Sequence, residues 1–200
     1  MRIWTISANF VEKKSNMKNV VYKYGLIAGG IQVIVGFGLM ALLVKDGSSK
    51  AEYGELLGYT TMIVALSLIF FGIKAYRDEQ LGGVITFGKA VQVGILITLV
   101  ASVIYVAGWL LYYHLGSGQE MMDSYLEQQI ANIQNSGRPE AVIQQEISEM
   151  QSFMELYEEQ PLVMIGLTFL EIFPVGLIIS LIAAVLLRKK EGQMAAAAEA

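Results

Sequence analysis

The sequence predicts an all-α integral membrane protein: a four-helix bundle whose third and fourth spans are joined by a helical hairpin outside the membrane. Three observations carry this reading. First, 54% of the 200 residues are hydrophobic and only 16% are charged, with a mean hydropathy of +0.52. Soluble domains carry about 25% charged residues, and disorder requires low hydrophobicity and high charge, so both classes are excluded. Second, four apolar stretches approach or exceed the roughly 20 helical residues that cross a bilayer core. Third, the bases are distributed very unevenly between the segments that join those stretches.

The segment 1–23 is basic and has no apolar run within 1–16, so it does not read as a signal peptide. The first stretch, 24–44, contains no charge and one amide, Gln32. It is longer than a signal-peptide core and no small-residue cleavage site follows, so we expect it to be retained. The second, 56–73, lies between Glu55 and Lys74. The third, 90–111, is interrupted only by Gln92 and small hydroxyls. The fourth, 161–187, contains Glu171 and Pro174. Together they define a membrane domain over 24–190, followed by a low-complexity tail at 191–200, expected to be frayed.

Four spans place both chain ends and the 74–89 loop on one side. That side carries Arg2, Lys13, Lys14, Lys18, Lys23, Lys74, Arg77, Lys89, Arg188, Lys189 and Lys190, 11 of the 14 bases; the other carries Lys45, Lys50 and Arg138. Basic loops face the cytoplasm, so we expect a multi-pass protein of the bacterial inner membrane with both termini cytoplasmic. Tyr22, Tyr24, Tyr76 and Phe87 would flank the cytoplasmic boundary. Tyr53, Trp109, Tyr112, Tyr113 and His114 would form the outer aromatic belt.

The outer segment 116–160 holds nine acids and one base, Arg138. Met122, Tyr125, Leu126, Ile130 and Ile133 recur at helical spacing, as do Val142, Ile143, Ile147, Met150, Met154 and Tyr157. Asn135-Ser136-Gly137-Arg138-Pro139 separates the two runs with a helix stop and restart. The pattern predicts an antiparallel hairpin, continuous with spans three and four. Its acidic surface would be repelled by anionic headgroups, which disfavours helices lying on the lipid.

Several motifs resemble one family. They are Met17-Lys18-Asn19-Val20-Val21-Tyr22-Lys23-Tyr24-Gly25-Leu26-Ile27 at the start, and Leu57-Gly58-Tyr59 with Leu66-Ser67-Leu68-Ile69-Phe70 in the second span. Gly72-Ile73-Lys74-Ala75-Tyr76-Arg77-Asp78-Glu79 with Gly83, Ile85, Phe87 and Lys89-Ala90 follows, and Phe169-Leu170-Glu171-Ile172-Phe173-Pro174-Val175-Gly176-Leu177 closes the set. The chain resembles the DUF4199 family of four-span bacterial membrane proteins over about residues 17–190. The resemblance implies the four-span fold and attaches no activity to it; residues 1–16 fall outside it.

Glu171 is the ionisable residue inside a span. Counted from Pro161, Glu171 lies near the middle of its stretch; counted over the roughly 20 residues ending at Leu187, it lies about one turn from the outer edge, where its side chain could reach water. A charge at a helix centre costs about 2.5–3.5 kcal/mol on insertion scales, so the sequence predicts that Glu171 faces the bundle interior as a neutral acid. Thr168 precedes it by three residues, and Pro174 leaves the Leu170 carbonyl without its helical donor. The three form a candidate intramembrane polar site: a proton or cation relay, a ligand contact, or an interhelical hydrogen bond that fixes packing. Small residues recur every fourth position: Gly25 and Gly29; Gly94, Thr98 and Ser102; Gly176, Ser180 and Ala184. Such faces let helices approach closely, in the bundle or against a partner.

Little else suggests chemistry. Cysteine is absent and His114 is the one histidine, so disulfides, thiolate sites and a histidine-rich zinc site are excluded. Gly82-Gly83 lacks the flanks of a phosphate loop, and the acidic hairpin lacks calcium-loop spacing. No nucleophile–base–acid set is apparent, which also disfavours a lipid-modifying enzyme. The expectation is no catalysis, no cofactor, no metal and no nucleic acid. The partners expected are the lipid bilayer and either a membrane-protein partner or further copies of the chain. The leading function is a non-enzymatic scaffold or accessory subunit. The alternative is a small carrier or proton-coupled channel using Glu171, oligomeric because four spans are few for transport.

Overall fold

A computed structural model describes residues 16–39 and 51–189. Residues 40–50, which include the end of the first apolar stretch with Lys45 and Lys50, residues 1–15 and the tail from 190 lie outside the described residues, as do the side chains of 51–55. The helices are α1 (Met17–Ile31), α2 (Ala51–Leu66), α3 (Leu68–Gln80), α4 (Phe87–Leu115), α5 (Gly118–Gln134), α6 (Glu140–Glu159) and α7 (Pro161–Leu187). A π-helical segment, Gln32–Phe37, continues α1. Among the described residues there is no strand, only an isolated bridge between Ile85 and Lys189. Four helical stretches are long and apolar enough to cross a membrane: Met17–Phe37, Leu56–Gln80, Phe87–Leu115 and Pro161–Leu187.

Three of these extend beyond the apolar runs of the sequence. α1 starts seven residues before Tyr24, with Lys18 and Lys23 exposed on its first turns, where long stems let the ammonium groups reach water. α3 runs past Lys74 to Gln80. α4 begins at Phe87, capped by the Thr86 hydroxyl, which accepts from the Lys89 amide. The second span also contains a break at Ser67, whose hydroxyl donates to the Val64 carbonyl (2.6 Å).

The bundle is organised around α4, which packs most extensively on α7 and then on α1. The small-residue faces make this possible. A Cβ added at Gly94 would lie 2.6 Å from Ser180 Cβ, and one at Gly176 would collide with Thr98. On the other side of α4, a Cβ at Gly25 would meet Val100 (2.6 Å) and one at Gly29 would meet Ile104 (2.7 Å). Ala184 is fully buried. These positions therefore pack the bundle itself. Gly72 against Ile97 and Gly108 against Val33 do the same, without belonging to a four-residue repeat.

The loop end of the bundle, around residues 81–86, is tied together by polar contacts. Gly82 and Gly83 adopt positive φ (62° and 89°), ending α3 in a turn that reverses the chain. Arg77 pairs with Asp78 and donates to the Leu187 carbonyl (3.2 Å), satisfying an acceptor left free at the end of α7.

The hairpin exists but is not continuous helix with the spans. Gly116 takes an extended conformation that ends α4, and Gln160 does the same before Pro161. The second break follows from chemistry: a residue before proline is pushed out of the helical region, and proline is well suited to open the next helix. The first permits a close approach, since a Cβ at Gly118 would lie 2.5 Å from Tyr113 Cα. The predicted seam is also narrower than its apolar pattern. Ile133, Ile143 and Tyr157 are buried, whereas Tyr125 and Val142 are exposed. Each exposed residue neighbours a seam position in sequence and so points about 100° away from it. Gly137, at φ 70°, makes the turn, and Arg138 pairs with Glu146 across it.

Replacing Gly94 or Gly176 by alanine should cost about 1–3 kcal/mol through overpacking. Gly30→Ala and Gly166→Ala should be tolerated, because no described residue lies within 4 Å of an added Cβ at either position. Thermal unfolding of the four variants in one mild detergent checks the contrast; equal losses at all four would contradict the packing described.

Candidate functional site

The polar side chains of the bundle gather between α4 and α7, toward the hairpin end. Tyr105, Trp109 and Tyr113 recur every fourth residue of α4 and so share one face. Trp109 Nε1 donates to the Tyr157 hydroxyl (2.7 Å), and Tyr157 also pairs with the Thr168 side chain. The Thr168 hydroxyl donates to the Met164 carbonyl (2.7 Å). The Tyr113 hydroxyl donates to Glu158 (3.3 Å). These contacts bind the last turn of α6 to the spans, so the hairpin is latched to the bundle despite both helix breaks. Phe37, at the end of the π segment, closes the cluster from α1; its ring stands 5.4 Å from Tyr105, 5.6 Å from Trp109 and 5.4 Å from Tyr112.

Burial dominates the electrostatics of the latch. It pushes the Tyr157 phenol above its ordinary value of 10.0; the bonds from Trp109 and Thr168 oppose this, and the Glu171 charge adds to it. Tyr157 is therefore held as a neutral phenol that can accept from Trp109.

Glu171 sits ten residues into α7, about 15 Å along the helix from Pro161. It is exposed, contrary to the expectation that it faces the interior, whereas Thr168 is buried. Three residues correspond to about 300°, so the two side chains point roughly 60° apart and the edge of the buried arc passes between them. Glu171 keeps one link inward: the buried Tyr105 hydroxyl donates to its carboxylate (3.3 Å). Pro174 is exposed too, and α7 runs through it without interruption. The Leu170 carbonyl is not the partner of Glu171, because the carboxylate turns to Tyr105 instead.

From this cluster a line of hydroxyls continues toward the loop end. Ser102 is buried with no partner for its Oγ among the described residues, and the Thr98 and Ser180 hydroxyls meet at 3.3 Å. Beyond them the interface is apolar: Val93, Ala90, Ala183, Ala184 and Leu187 are all buried. Gln32 is 3% exposed in the π segment, with its Oε1 also unpartnered among the described residues. Among the described residues no three His, Asp or Glu side chains are placed to hold a metal.

Part of the cluster was hidden in the sequence. Trp109 and Tyr113 read as an interfacial belt, but they are 8% and 2% exposed and form the core of the latch. Their four-residue spacing with Tyr105 was the available signal. The link to Tyr157, 48 residues away, had none.

A family model described as a protein of unknown function, DUF4199, matches residues 23–189, which is most of the chain. The chain belongs to this family. No curated protein and no solved structure matches it. The DUF4199 match covers both halves of the α4–α7 seam, the hairpin and the Glu171 region.

Tyr157→Phe should lower stability by about 1–3 kcal/mol, because the buried Trp109 N–H loses its acceptor. Folding raises the Tyr157 pKa, so its contribution is full below pH 10 and fades as pH climbs past that value. The wild type should therefore lose more melting temperature between about pH 9 and pH 11 than the phenylalanine variant. Parallel pH profiles would show that the phenol is not buried in the latch.

Proposed function

We propose that this DUF4199 protein is a non-enzymatic scaffold or accessory subunit of the bacterial inner membrane that docks a partner through its hairpin. The observation that carries this reading is a latched hairpin with an uncovered apolar face. Trp109–Tyr157 and Tyr113–Glu158 fix the base of α6, yet Phe153 and Leu156 are 49% and 47% exposed. Val142 lies on the same face, and Glu149 stands among them. A fixed helix with an exposed apolar stripe is characteristic of a docking element.

The orientation we propose is both termini in the cytoplasm. It is supported by Lys18, Lys23, Lys74, Arg77, Lys89, Arg188 and Lys189, which lie on segments converging on the loop end, and by Arg138 at the hairpin end.

The second reading, a carrier or proton-coupled channel, is favoured by the Tyr105–Glu171 bond and the hydroxyl line behind it. We rank it lower because that line stops at Thr98 and Ser180, with a close-packed apolar seal beyond.

Mass determination of the protein extracted from its own membrane in mild detergent tests the proposal. A stable hetero-complex, lost on combined Phe153→Glu and Leu156→Glu substitution with the fold intact, is the expected result. A homo-oligomer carrying proton-linked flux that Glu171→Gln abolishes would establish the carrier instead. A reporter fused at Gly137 should be active only on the external side; activity in the cytoplasm would invert the topology.

A further inference from the structure

The outward face of α7 places a carboxylate where, among the described residues, Tyr105 is the one hydrogen-bond partner. Glu171, Ile178 and Val185 recur every seven residues and are all exposed, with Ile182 exposed between the last two. This is the spacing of a helix–helix seam, and a polar residue at one seam position fixes partner and register. The four-residue small faces of α7 cannot serve here, since Gly176, Ser180 and Ala184 are buried against the chain's own bundle.

Three facts narrow what could cover the face. Glu171 is about 15 Å along the helix from Pro161, and a glutamate side chain has two methylenes with which to reach water. The Tyr105 hydroxyl offers one hydrogen bond to a group with about four acceptor sites. The bases on the described spans of this chain (Lys18, Lys23, Lys74, Arg77 and Lys89) sit near the loop end, so none lies at the depth of Glu171. A second copy related by a two-fold axis would set one Glu171 toward the other.

We propose that the Glu171–Ile178–Val185 face of α7 binds a transmembrane helix of another protein, and that this helix presents a lysine or arginine to Glu171. The inference rests on the docking function above and supplies its intramembrane half. The hairpin face attracts a partner outside the bilayer, and the Glu171 pair sets which helix docks within it. Tyr105 acts as a positioning residue, holding the carboxylate by one oxygen while the other is free for the incoming cation.

The test uses the full-length protein in its own membrane, with a photoreactive residue at Ile178 and a control at the exposed Ile34 of the π segment. We expect a discrete adduct from Ile178 to a membrane protein whose adducted span contains Lys or Arg. Its yield should fall at least ten-fold with Glu171→Leu and be retained with Glu171→Asp. Reversing the pair, Glu171→Lys with the partner's base changed to Glu, should restore it. Melting temperature in detergent shows whether each variant is folded, and Glu171→Gln serves if Glu171→Leu is not. A self-adduct, lipid adducts alone, or a hetero-adduct indifferent to folded Glu171 variants each overturns the inference. In the last case the hetero-complex itself survives and the docking function stands; absence of any hetero-complex from the mass determination would overturn that function as well.

Discussion

The close approach of α4 and α7 is the constraint on which the rest of the structure depends. In a bilayer there is little hydrophobic drive between helices, and association relies on van der Waals contact and interhelical hydrogen bonds. Gly94 opposite Ser180 and Gly176 opposite Thr98 remove the side chains that would hold the helices apart. The same proximity brings the Thr98 and Ser180 hydroxyls to 3.3 Å. Nearer the hairpin end, larger residues take over, and the space between the two helices is filled by Tyr105, Trp109, Thr168 and the tyrosine that α6 contributes. The seam thus changes from small and tight at one end to aromatic and hydrogen-bonded at the other.

That change connects the membrane part to the hairpin. Both helix junctions are broken, at Gly116 and at Gln160–Pro161, so backbone continuity does not hold the hairpin in place. Side chains do: Tyr157 accepts from Trp109, and Glu158 accepts from Tyr113. The hairpin therefore inherits its position from the α4–α7 seam. A loosened seam would change the presentation of Phe153 and Leu156 without touching either residue.

Much of this was legible in the sequence. Hydropathy located the four spans, because an apolar run of this length is a compositional property that no tertiary contact alters. The four-residue spacing of Gly94, Thr98, Ser102 and of Gly176, Ser180, Ala184 marks faces of close helix approach but leaves open whether they meet each other or a partner; the assembled bundle pairs them. Helix ends were less legible, since α1 and α3 extend over lysines whose stems reach water. The π segment at Gln32–Phe37 leaves no periodic signature. The direction of Glu171 departs from the expectation for a geometric reason: a difference of about 60° from Thr168 suffices to place it on the other side of the buried arc, while its carboxylate still accepts from the buried Tyr105 hydroxyl. The latch joins residues of three helices and is visible only when the helices are assembled.

The seam can be measured directly, because the chain has no cysteine. Cysteines placed at Thr98 and Ser180, with a protease site introduced at the Gly137 turn, report their proximity in native membranes under mild oxidation. The two fragments should remain joined after cleavage until reductant is added, and those of a Val103 and Ser180 cysteine pair, with Val103 exposed on the far side of α4, should separate at once. Fragments that separate for the Thr98 and Ser180 pair would contradict the close approach on which the latch, the hairpin's position and the presentation of Phe153 and Leu156 all rest.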